Sequence, residues 1–167
     1  MSLEKNKSHY SNLAKLFHWG FVILFVYGVA KQVGDINQLE DTTFLRFEII
    51  FALIFFILLI IRFIYMKFTQ KTSIPPETPK IQKSISKIVH NGMYLLLVAT
   101  VLSGLLIGIL YWYGIKSGLI INLIIMIHEF VINLLYFFIA VHILAAVYHR
   151  LKKDGVWNSM VPFLKEK

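Results

Sequence analysis

The chain has 167 residues, 57% of them hydrophobic and 16% charged, with a formal charge of +8 and a mean hydropathy of +0.69. A soluble domain usually carries about 25% charged residues, so this composition points into a membrane. No cysteine is present, which excludes disulfides, iron–sulfur clusters and thioether-linked haem.

The basic balance does not indicate nucleic acid, because the Lys and Arg residues flank apolar runs. Four such runs read as membrane spans, in chain order about Leu13 to Ala30, Phe44 to Met66, Ile88 to Tyr113 and Leu119 to Tyr148. The first has no small-residue cleavage site and carries His18 and Trp19, so it reads as a span rather than a signal peptide. The last exceeds what a bilayer needs, so it is expected to tilt or project. Between spans two and three, Pro75, Pro76 and Pro79 predict a non-helical loop. Trp19, Tyr111, Trp112 and Tyr113 fit an aromatic belt. Gly104 and Gly108 permit close helix approach, while Gly20 and Gly28 make room for a cofactor or a neighbouring helix. No internal repeat or second domain is visible, so residues 1–167 read as one domain. The expected fold is an all-α, four-helix, up-down transmembrane bundle.

Orientation follows from the cations near span ends. The N-terminal arm has Lys5, Lys7 and Lys15. The loop after span two is assigned Arg62, Lys67, Lys71, Lys80, Lys83 and Lys87, and the tail Arg150, Lys152, Lys153, Lys165 and Lys167. The opposite side holds only Lys31, Arg46 and Lys116, so fourteen cations face three and both termini are expected in the cytoplasm.

The histidines carry the chemistry. His128 and His142 lie fourteen residues apart on the fourth span. On a helix that spacing falls about 40° short of four turns, so both rings share a stripe, roughly 21 Å apart. One histidine near each face of a ~30 Å hydrocarbon core suits haem irons better than core packing. His149 extends the stripe by two turns. His18 and His142 are expected at one level near the termini, where they can ligate one iron. His128 is expected level with Glu48 near the other end. His90 opens span three, and His9 in the N-terminal arm reads as solvated. Each residue also has a bland reading: span-end histidines bonded to water or lipid headgroups, and Glu48 as a surface carboxylate near Arg46.

The four spans, the Phe17–His18–Trp19–Gly20 start and the spacing of His128, His142 and His149 resemble the bacterial cytochrome b561 family, related to the b-type subunits of nickel–iron hydrogenases and formate dehydrogenases. The likeness covers nearly the whole chain. It implies haem b held by His18 and His142, and a second haem between His128 and the position of Glu48, where the family has histidine. One haem is therefore expected, with a second left open. The resemblance makes neither His90 nor His149 an iron ligand; both are candidates for a quinone or proton-entry site. It implies electron exchange with the quinone pool, for some members superoxide oxidation, in a multi-pass protein of the bacterial inner membrane that contacts lipid and a redox partner protein. Two other readings stand beside it: the membrane anchor of a larger oxidoreductase, and a haem-free four-helix membrane protein.

Overall fold

A computed structural model describes residues 10–166. Lys5, Lys7, His9 and Lys167 lie outside the described residues. Four long helices dominate: α1 (Asn12–Ala30), α2 (Thr42–Thr69), α3 (Lys80–Trp112) and α4 (Leu119–Lys152); a short α5 (Val156–Met160) follows, and a 3-10 segment, Ile36–Glu40, joins α1 to α2. All four long helices are long and apolar enough to cross a membrane, and the described residues contain no strand. The protein is therefore an all-α, four-helix membrane protein.

The helix ends have local causes. Ser11 caps α1 by accepting from the Ala14 amide at 3.1 Å, and Asp41 caps α2 by accepting from Thr43 at 2.7 Å. Pro75, Pro76 and Pro79 keep the loop before α3 non-helical, and α3 starts directly after Pro79. It starts two turns before the expected Ile88, because the polar Lys80–Lys87 stretch continues the helix beyond its apolar run. At the next reversal Gly114 and Gly118 take φ of 79° and 110°, which favour glycine. With 34 residues α4 is about 51 Å long, well beyond a hydrocarbon core.

The outer surface is apolar. Ile23, Ile54, Leu95, Ile127 and Phe137 are all exposed, as lipid-facing side chains are. Two apolar clusters fill the interior. One joins Phe21, Phe55, Leu59, Leu96, Leu97, Val101 and Leu135; the other, at the far end from the termini, joins Leu39, Leu45, Ile107, Tyr111 and Ile121. Tyr111 thus belongs to the core and not to an aromatic belt. Helix α1 packs on α2, α2 on α3 and α3 on α4. The glycines mark the close approaches: a Cβ on Gly108 would stand 2.9 Å from Ile49, and one on Gly28 would stand 3.3 Å from Phe51. Gly28 therefore admits a neighbouring helix, while Gly20 faces open space.

The chain after α4 folds back over the bundle end that carries the start of α1. Lys153 ends α4 with a φ of 55°, and Ser159 and Val161 are buried. Trp19 donates from Nε1 to the Met160 carbonyl at 3.2 Å and stacks on Phe163 at 4.9 Å. Its ring serves this tertiary contact rather than a membrane-interface belt.

Candidate functional site

Four residues from four helices converge at the bundle end near the termini. His18 comes from the second turn of α1, Arg62 from the last third of α2, His90 from α3 and His142 from α4. The antiparallel order brings them to one level although they span most of the sequence. The His18 and His142 rings lie 6.4 Å apart between centroids, with 61° between planes. The His90 and His142 rings lie 5.0 Å apart and nearly perpendicular, at 85°. Both His18 and His142 are half-buried, whereas His90 is exposed.

Those separations have different chemical meanings. A metal–nitrogen bond of about 2 Å and an imidazole radius of roughly 1.1 Å put two axial ring centres about 6 Å apart across one metal ion. The His18–His142 spacing matches that value, and the His90–His142 spacing is too short for it. His90 donates its Nδ1 proton to the Ser86 carbonyl at 2.6 Å, a bond within its own helix. His142 is thus the shared member of two ring pairs, and only the pair with His18 has the spacing of two ligands on one metal ion.

Arg62 closes this site on the α2 side. Its Nη2 donates to His18 Nδ1 at 3.1 Å, since a guanidinium has no acceptor. Its charge lies over the rings of Phe21 and Tyr94, each at 5.3 Å. Its Nε is buried without a hydrogen-bond partner, and no carboxylate ion-pairs with it among the described residues. A buried cation without a counter-charge is costly in a membrane, so the site is chemically suited to an anionic group. Sequence reasoning counted Arg62 among loop cations. The structure corrects this: α2 runs on to Thr69, so Arg62 is a helical residue facing His18. The available signal was an arginine inside an otherwise apolar run.

His149 lies beyond this cluster and is buried. Its Nδ1 bonds Asp154 Oδ2 at 2.7 Å, and its Nε2 lies 3.4 Å from Gln82 Nε2. Asp154 was not singled out from sequence; the tight reversal after α4 brings it back onto the histidine.

At the far end the expected neighbours His128 and Glu48 have separate partners. Glu48 forms an ion pair with Lys31, the residue just past α1, whose ammonium also lies over Phe51 at 4.2 Å and Phe47 at 5.3 Å. Arg46 stacks instead on Trp112 at 5.3 Å. His128 Nδ1 meets Ser103 Oγ at 2.8 Å, and Ser103 gives its own proton to the Ala99 carbonyl at 2.6 Å. No hydrogen bond joins Glu48 and His128 among the described residues.

No curated protein and no solved structure matches the chain. The family model for prokaryotic cytochrome b561 matches residues 9–163, which contain every residue placed above. The match covers all four long helices and the converging histidines, and by it the chain belongs to the prokaryotic cytochrome b561 family.

Proposed function

We propose that this protein is a quinone-linked electron carrier whose haem b is held axially by His18 and His142. Membership of the family makes it a multi-pass bacterial membrane protein of haem b electron transfer. The observation that carries the residue assignment is the 6.4 Å spacing of the two rings, on helices otherwise in little backbone contact. Arg62 supplies the second fit: its unpartnered Nε suits a haem carboxylate. A haem held there would supply one-electron storage.

The side chains then have distinct tasks. His18 and His142 are the residues that would hold the haem iron. His18 now accepts from Arg62 at Nδ1, so in its neutral form its proton sits on Nε2. Were His18 to hold the iron through Nε2, its proton would move to Nδ1, and Arg62 would then need another acceptor, a role that a haem carboxylate would fill. His90 and the buried His149–Asp154 pair are the groups here able to take up or deliver protons for a quinone. The excess of cations at the terminal end supports a cytoplasmic location for both termini, in the bacterial inner membrane.

The test is the optical and EPR spectrum of purified protein. The unmodified chain should show a low-spin b-type haem. His18→Ala and His142→Ala should each lose haem or convert it to a high-spin form. A haem-free preparation, or a low-spin spectrum unchanged in either variant, refutes the assignment.

A further inference from the structure

The far half of the bundle is where the family pattern implies a second haem, and the residues there do not fit one. The position on α2 that would supply the opposing imidazole holds Glu48, and Glu48 is already committed to Lys31. Side chains of the pair are only 19% and 14% exposed. Freeing Glu48 to meet an iron would break its ion pair with Lys31, whose ammonium also lies over the Phe47 and Phe51 rings.

The space is occupied as well. Ile124 and Ile125, one turn before His128, and Val131, just after it, pack into the two apolar clusters. The same clusters take Ile49, Phe51 and Ala52 of α2, the residues that follow Glu48. Ile49 also reaches Gly108, so α2 and α3 are in close contact at this level. The His128 ring lies against Gly104, where a Cβ would stand 3.1 Å from Cε1. It is anchored there by Ser103. Thus His128 lies against a packed helix interface, and Glu48 is held in its own ion pair. At the other end, by contrast, the His18 and His142 rings approach to 6.4 Å, the spacing of two imidazoles on one metal ion.

We infer that this chain carries one haem, at the His18–His142 end, and exchanges electrons at that membrane face only. The inference rests on the haem reading above. The distance from the His142 level to the His128 level is roughly 21 Å of a ~30 Å core, and it contains no second iron to relay charge. With a quinol as donor, its two electrons would pass one at a time to two equivalents of a one-electron acceptor at that same face, and its two protons would be released to water there. The Lys31–Glu48 pair instead ties the end of α1 to α2.

Three measurements on the full chain in detergent or vesicles test this. The pyridine haemochrome assay should give about one haem per chain, and a redox titration should show one wave. His128→Ala should keep that ratio and the low-spin spectrum, whereas His142→Ala should lose both. Quinone-free proteoliposomes with trapped ferricyanide, given external dithionite, should reduce it no faster than protein-free vesicles. About two haems per chain, loss of haem in His128→Ala, or protein-accelerated reduction of the trapped oxidant overturns the inference. A chain with no haem at all would instead sink the haem reading on which it rests.

Discussion

Replacing Lys31 with methionine isolates the energetics of the far end. Lys31 is the only ion-pair partner of Glu48 among the described residues, and Glu48 Oε1 is already buried without a hydrogen bond. Two unit charges in contact attract by about 4 kcal/mol at an effective dielectric near 20, and desolvation of both groups offsets much of this. The variant keeps the desolvation of Glu48 and loses the attraction. Stranding a fully buried charge costs about 3–5 kcal/mol, and the residual exposure of this pair reduces that to roughly 2–3 kcal/mol. Glu48→Leu should cost less, about 1 kcal/mol, because the lysine stem can extend its ammonium to water while resting on Phe47 and Phe51. The double variant should return to within about 1 kcal/mol of the unmodified protein, since no unpaired charge is left. Thermal or denaturant unfolding of the four proteins in one detergent gives the coupling energy directly. Additive effects, or a Lys31→Met protein as stable as the unmodified one, would refute the argument that this pair is a closed, mutually dependent unit.

Arg62→Gln removes the uncompensated cation beside His18; the haem potential should fall by tens of millivolts, because a nearby positive charge favours the reduced iron, and haem should be lost faster on dilution. Redox titration checks the first effect, and an unchanged potential would show that Arg62 does not face the haem. Gly92→Leu puts a side chain where a Cβ already stands 2.3 Å from Phe138, one turn before His142 on α4. It should destabilise the protein by about 1–3 kcal/mol and perturb the low-spin spectrum; a silent change would mean that α3 and α4 separate freely there. Reporter fusions at the C-terminus and in the 71–79 loop should report the cytoplasm, and a fusion at Ser117 the opposite side. A C-terminal fusion reporting the outside would invert the assignment of faces.

The sequence alone determined the features that depend on local pattern. Four apolar runs of spanning length, broken by Pro75–Pro79 and by Gly114 and Gly118, are properties of contiguous residues, and so the four-helix membrane fold was legible. The fourteen-residue interval on α4 was legible for the same reason, because helical pitch converts spacing into a shared face. The level matching of His18 with His142 needed only the alternation of helix direction. What the tertiary structure decided depends on how each helix is rotated about its axis and how far it slides past its neighbour. Arg62 counts as a loop cation until the rotation of α2 turns it to His18. Tyr111 reads as an interface aromatic until the packing of α2 and α4 on α3 buries it. Glu48 could have faced Arg46, His128 or water. The approach of the α1 end to α2 gave it Lys31, while Ser103 and Gly104, on a different helix, took His128. Lipid contributes to this ambiguity, since an apolar helix surface is equally content against acyl chains or another helix. Hydropathy therefore marks which segments enter the membrane but not which faces meet, and the polar partners inside follow from packing that no local pattern encodes.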